Sequence, residues 1–167
     1  MHTRVVRVRR GPELIVRPLR RGDTATVQAV FDRLGDASRL ARFNGHKPRL
    51  GEQELRWLAA VDATHHALVA YVDGDPDPLA MARLVRSGAS AEIAFEVADA
   101  YQGRGIGSAL AQELVADACA AGILEVTALV RSDNRAALAV LSHVLGQLKV
   151  SFEGPEMLVR APLPARC

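Results

Sequence analysis

At 167 residues the chain is one ordinary domain long, and its 49% hydrophobic and 24% charged residues suit a soluble globular protein without the roughly 18-residue apolar run of a membrane span. A net charge of +2 and an aromatic content of 4% argue against a nucleic-acid partner, for they supply neither a surplus of cations nor rings on which bases stack. Cys119 and Cys167, far apart, make neither a disulfide framework nor a zinc-ligand spacing, so no metal and a reduced cytoplasmic setting are the expectation.

The first ten residues set Arg4, Arg7, Arg9 and Arg10 among valines, which is no apolar signal segment. Residues 1–12 read as a frayed tail or an extra edge strand. Glu13–Pro18 alternates weakly, as a first strand does. Asp23 stands where it caps a helix whose Val27, Val30, Phe31 and Leu34 share one face. Gly35 through Arg49, with Gly45 and Pro48 as breakers, reads as irregular. A second helix is predicted over Glu52–Val61, with Leu55, Leu58 and Ala59 inward. His66–Val72, Leu79–Val85 and Ala91–Ala98 are strands divided by the turns Asp73-Gly74-Asp75-Pro76 and Ser87-Gly88. Gly105 opens a helix striped by Ile106, Leu110, Leu114 and Ala118, and Gly122 ends it. Glu125–Val130 is a strand, Ser132 or Asp133 caps a helix that stops at Gly146, and Val150–Phe152 and Met157–Arg160 close the chain as strands. Strands in a run, then strands alternating with helices, make an α/β (α+β) pattern: one domain on a mixed sheet with helices on both faces.

The chemistry concentrates in Tyr101-Gln102-Gly103-Arg104-Gly105-Ile106-Gly107-Ser108, between a strand and a helix. Three glycines at alternate positions let backbone approach a ligand without Cβ obstruction. Amides at a helix N-terminus are unpaired and carry the positive end of the helix dipole, so a pyrophosphate fits there, with Arg104 as a cation beside it. The spacing G-x-G-x-G is not the dinucleotide fingerprint G-x-G-x-x-G, and no Lys-Ser/Thr follows as in a P-loop. Taken alone, the stretch is either an anion site or a turn whose glycines serve close strand–helix packing.

The flanking residues separate the two. Q-G-R-G-I-G-S after a strand, then an amphipathic helix, a strand and Ser132-Asp133-Asn134-Arg135-Ala136-Ala137, resembles the GNAT superfamily of N-acetyltransferases, most sharply over Ala91–Gly146. The resemblance implies a single domain over residues 1–167, a mostly antiparallel sheet of six to seven strands, and acetyl-CoA as cosubstrate without a metal. The family motif Q/R-x-x-G-x-G/A, which wraps the pyrophosphate, is filled by Gln102, Gly103, Arg104, Gly105, Ile106 and Gly107, with Ser108 next. By the same likeness the strand Phe95–Val97, through Phe95 and Val97, offers backbone groups to the pantetheine arm and the thioester carbonyl. Asn134 touches the pantetheine or the adjoining part of CoA, or else only caps its helix.

Attack on an acetyl carbonyl needs a neutral amine, hence a base to take a proton from the ammonium. Glu92 in Ala91-Glu92-Ile93-Ala94-Phe95 matches the glutamate early in this strand that is the base in lysine-acetylating members. Alternation puts Glu92 and Glu96 on one face and Ile93, Phe95 and Val97 on the other, unless a bulge breaks the parity. A neighbouring carboxylate and partial burial would suit a base. One departure stands out: where many members carry a tyrosine that protonates the leaving thiolate, this chain has Leu141. The histidines His46, His65 and His66 show no identifiable partner in the sequence, and Trp57 reads as a core or lip residue.

The fold does not name the acceptor. Ser38-Arg39-Leu40-Ala41-Arg42-Phe43 and Asp62-Ala63-Thr64-His65-His66 look like the acyltransferase domain of bacterial protein-lysine acetyltransferases, and Ala91-Glu92-Ile93-Ala94 and the missing tyrosine agree. The expectation is therefore acetyl transfer to a protein lysine by a monomer or homodimer, away from membranes and nucleic acid. An amino sugar or polyamine acceptor, or a non-catalytic acetyl-CoA sensor, is the alternative.

Overall fold

The computed structural model describes residues 2–8 and 11–164, Glu153 by its backbone alone. Its elements in chain order are strands β1 (Arg4–Arg7) and β2 (Glu13–Pro18), helices α1 (Thr24–Asp32), α2 (Asp36–Phe43) and α3 (Glu52–Leu58), and strands β3 (His65–Val72), β4 (Ala80–Ser87) and β5 (Ser90–Val97). There follow α4 (Ile106–Ala120), β6 (Glu125–Arg131), α5 (Arg135–Leu145), β7 (Lys149–Glu153) and β8 (Glu156–Pro162). The sheet runs β1-β2-β3-β4-β5-β6-β8-β7, and only β5 and β6 are parallel.

Eight strands replace the expected six to seven, because Arg4–Arg7 pairs with β2 instead of fraying. Arg4 finds its acidic partners within the chain, Glu113 at 2.7 Å and Asp117 at 2.5 Å, both on α4. Arg9 and Arg10 lie outside the described residues, as does Cys167. Cys119 is buried on α4 and is not a free thiol. Among the described residues no helix is long and apolar enough to cross a membrane.

Strand alternation sorts the apolar residues into two cores. On one face Leu14, Val16, Leu68, Ala82 and Ile93 pack with Leu110 and Leu114 of α4 and Leu141 of α5. On the other, Val69 and Met81 pack with Val27 and Phe31 of α1 and Leu58 of α3. The segment read as irregular contains α2: none of its residues is fully buried, but Ala37, Leu40 and Ala41 share one face and Phe43 packs against the α1–α3 core, edge-on to Phe31. Its ends are supported locally, with Asp36 in the first turn, Arg42 in the last, and Asn44 closing it in the left-handed conformation at φ 53°. The cap of α5 also differs from expectation. Asn134, not Ser132 or Asp133, accepts from the Ala137 amide at 3.0 Å, while Asp133 is held by Arg131.

The feature that creates a site is the seam between β5 and β6. They pair at Ser90–Glu125, Ala91–Val126 and Glu92–Thr127, and past that row they part. No such break occurs on the other side of β5, where all eight residues pair with β4 in continuous register from Ser90–Ser87 to Val97–Ala80. The feared bulge is absent, so Glu92, Ala94 and Glu96 do share one face.

Candidate active site

Between the parted strands lies a cavity of about 500 Å³. Ile93–Val97 and Ala128–Val130 are its walls, Ser38, Ala41 and Arg42 of α2 close one side, and Asn134, Ala137 and Leu141 close the other. Its end is the glycine loop, of which Gln102, Gly103, Gly105, Ile106, Gly107 and Ser108 all reach the cavity.

The loop's shape follows from its glycines. Gly103 and Gly105 hold φ of +72° and +80°, which L side chains resist, and Gly105 serves as the N-cap of α4 without a side-chain acceptor. The first amides of the 15-residue helix are therefore left for a ligand. A Cβ on Gly105 would also stand 3.0 Å from Cγ1 of Val8. Gly107 is under less constraint, since a Cβ there would meet Val97 and Val140 at ordinary distances of 3.5 and 3.7 Å.

Two side chains of the motif work within the protein. The Gln102 amide donates to the Val97 carbonyl and to Ser38 Oγ, each at 3.0 Å, and so ties the loop to the end of β5 and to α2. Arg104 folds back to donate to the Ala100 carbonyl at 3.0 Å, with its guanidinium over the Tyr101 ring. It does not line the cavity. Asn134 has both of the roles foreseen for it open at once, because Oδ1 caps α5 while the residue also lines the cavity.

The two glutamates part company. Glu96 is 8% exposed, lines the cavity and is ion-paired with Arg42. Glu92 is exposed instead of partly buried, and its carboxylate has no hydrogen bond or ion pair among the described residues. It stands on the last paired row of β5 and β6, where the cleft begins. That row crosses the sheet as His65, Val85, Glu92, Thr127, Arg160 and Lys149. Beyond Glu92 the helices give out: no residue of β6, β7 or β8 joins the α1–α3 core, and Leu129 is 38% exposed. The half-buried Leu158 lies beside Leu129 on the same uncovered face.

Sequence reasoning missed Arg83, on β4 directly across from Ala94. It is 2% exposed, its three guanidinium nitrogens have no hydrogen-bond partner among the described residues, and it sits 5.3 Å from the centre of the Trp57 ring. Burial pulls its pKa down to about 10, with Glu96 opposing the shift and Arg42 adding to it, so it stays cationic at neutral pH. The available signal was an arginine inside the apolar strand Ala80–Val85, which alternation places on a covered face. Two of the three histidines, His65 and His66, have carboxylate partners after all. His66 Nε2 lies 2.9 Å from Asp117 and His65 Nδ1 lies 3.2 Å from Asp62, both away from the cavity. Trp57, 53% exposed, is not a core residue; it stands edge-on to His65 and does not line the cavity.

Comparison with known proteins agrees with this geometry. Acetyltransferase Pat of Mycolicibacterium smegmatis is 33% identical over 144 residues, which cover 83% of this chain and 43% of that protein. The chain thus spans less than half the length of this curated relative. The GNAT domain of S. lividans PAT superposes with a TM-score of 0.85 at 29% identity, over 97% of this chain and 96% of that one. The PaiA N-acetyltransferase of Thermoplasma acidophilum, solved in complex with coenzyme A, shares the fold at 16% identity and a TM-score of 0.70, over 90% and 99% of the two chains. The sequence pattern of the Acetyltransferase (GNAT) family matches residues 31–146, from the end of α1 through the glycine loop to the stop of α5, and the chain belongs to that family of acyltransferases.

Proposed function

We propose that the protein transfers the acetyl group of acetyl-CoA to a protein lysine in the cytoplasm, with Glu92 as general base. The observation that carries this reading is the parting of β5 and β6, which makes one channel from the open amides of the glycine loop to Ile93, the residue next to Glu92, while Glu92 itself stands outside the cavity lining. The pyrophosphate belongs at the loop, where glycines leave no Cβ in its way and the helix dipole favours an anion. The pantetheine arm runs along Phe95–Val97, whose backbone is unpaired towards β6. Glu92 takes a proton from the incoming ammonium, and the amine nitrogen bonds to the carbonyl carbon as the carbon–sulfur bond breaks. The thiolate is protonated by solvent, because the buried Leu141 offers no acid. One proton is released per turnover.

One feature favours Glu92 over Glu96. Its carboxylate is free to accept, whereas that of Glu96 is engaged by Arg42. A macromolecular acceptor is supported by the uncovered face around Thr127, Leu129 and Leu158, which gives a long side chain access from a large surface.

Calorimetric titration of acetyl-CoA and CoA, followed by thiol release over lysine peptides, polyamines and amino sugars, tests the reading. Binding with release on lysine peptides is the expected result. Release only on small amines would move the acceptor class, binding without release would make the protein a sensor, and no binding would end the proposal. Glu92→Gln should lower turnover by roughly 100-fold at pH 7 with cofactor affinity near wild type. Equal turnover of the two proteins across neutral pH would remove Glu92 from the mechanism.

A further inference from the structure

Arg42, Arg83 and Glu96 form a cluster of three buried or half-buried charges against the cleft, at the junction of α2, β4 and β5. Two are positive and one is negative. The single ion pair of Arg42 with Glu96 leaves Arg83 as an uncompensated cation. A guanidinium that is 2% exposed and makes no hydrogen bond is expensive, since an arginine normally carries five donors into partners. Nothing in the fold needs it: its cross-strand neighbours are Ala67 and Ala94, and an apolar side chain of similar length would fill the same trough under Trp57. A costly group without a structural duty, against the wall of a cleft, is where function is to be sought.

We propose that Arg83 is a positioning residue whose uncompensated charge sets the electrostatic field of the cleft and stabilises the negative charge that develops on the thioester oxygen and the departing sulfur. The inference rests on the acetyl-transfer reading above. Three observations support it. Arg83 is the direct cross-strand partner of Ala94, roughly 5 Å away at the backbone, and Ala94 is in the cavity wall at the start of the parted segment. The Arg83 guanidinium is itself shielded from water, so its unit charge is screened less than a surface charge would be. Finally, with Leu141 in place of an acid the thiolate leaves without a proton donor, which makes stabilisation by a nearby cation more valuable. The same positive field disfavours an ammonium at the reacting position and so favours the neutral amine that attacks.

The test follows from the cost. Arg83→Met removes an unpaired buried charge and keeps the volume, so the melting temperature should rise or hold, while turnover falls on the order of tenfold or more and the dissociation constant for CoA stays within about threefold of wild type. Arg83→Lys should recover most of the lost turnover, since the charge is the active ingredient. Wild-type turnover in Arg83→Met would overturn the proposal. A joint fall in melting temperature and turnover, with no recovery in Arg83→Lys, would also overturn it, because Arg83 would then be a packing residue under Trp57. If the wild-type protein itself releases no thiol with any amine, the acetyl-transfer reading has failed and the role of Arg83 falls with it.

Discussion

The two ends of the cleft are made of different materials. At the cofactor end the working groups are backbone amides, fixed by two glycines with positive φ and by a glutamine that ties the loop to β5. At the proposed acceptor end they are side chains on α2, α3, β4 and β5, held by one ion pair and one ring contact. A backbone site has no substitutable part, so it fails abruptly when a side chain is forced into it, whereas a site of charged side chains fails by degrees. Gly105→Glu gives the first and largest effect. It puts a Cβ 3.0 Å from Val8, a strained φ into the cap of α4, and a carboxylate where an anion should sit. CoA binding should vanish by calorimetry with the β-sheet signal in circular dichroism intact. An unchanged dissociation constant would break the comparison at its stronger side.

At the acceptor end the matching experiment is Glu96→Gln. The substitution leaves Arg42 without its ion-pair partner, beside Arg83, which already has none among the described residues, and losing one partner of a buried pair costs about 3–5 kcal/mol. The expected outcome is a large drop in melting temperature that Glu92→Gln, on an exposed carboxylate without partners, does not share. Similar melting temperatures for the two variants would mean that the charge cluster does not hold the acceptor end together.

How much could be read in advance also divides along this line. The glycine loop, its flanking strand and α4 were legible because backbone geometry imposes residue types at fixed spacing, and the stripe Ile106, Leu110 and Leu114 is buried as the period demands. The uniform pairing of β4 with β5 kept Glu92 and Glu96 on one face, as alternation alone would have them. α2 was not read, since its face of Ala37, Leu40 and Ala41 is short, is nowhere fully buried and lies between the breakers Gly35 and Gly45. Arg83 was hidden for a related reason: alternation assigns a face, but whether a helix covers that face depends on α3 crossing it, which no local pattern states. The eighth strand was ambiguous until pairing was seen, because Arg4 reads as solvated unless Glu113 and Asp117 are known to lie across from it.

That N-terminal strand supplies a subtler test of the cofactor end. β1 and the residue after it turn Arg4 and Val8 to α4, Arg4 meeting the middle of the helix and Val8 its glycine cap, so this segment braces the helix from Gly105 to Asp117. The chain then passes so close to the loop that a Cβ on Gly11 would lie 2.7 Å from the Arg104 carbonyl oxygen. Gly11→Val must push the hairpin and the loop apart. The dissociation constant for CoA should rise on the order of tenfold, a loss near 1.4 kcal/mol, while kcat at saturating acetyl-CoA changes little. A variant that loses kcat and keeps its affinity would show that the brace acts on the acceptor end instead.

The smallest effect concerns the turn between β3 and β4. Asp75 accepts from Arg33 at 2.7 Å and from the Tyr101 hydroxyl at 2.9 Å, and so anchors the residue that precedes Gln102. Its carboxyl is held at about 2, below the ordinary 3.8, by the Arg33 guanidinium first, then by the Asp77 amide and the Tyr101 hydroxyl. A depressed carboxylate stabilises the fold above its unfolded pKa and loses that contribution as pH falls through its folded one, here between about pH 4 and pH 2. Melting curves of wild type and Asp75→Asn should therefore differ modestly at neutral pH and converge towards pH 2, with CoA affinity at pH 7 reduced less than threefold. A gap that persists unchanged to pH 2 would show that the anchor positions Tyr101 by shape and hydrogen bonding and not by charge.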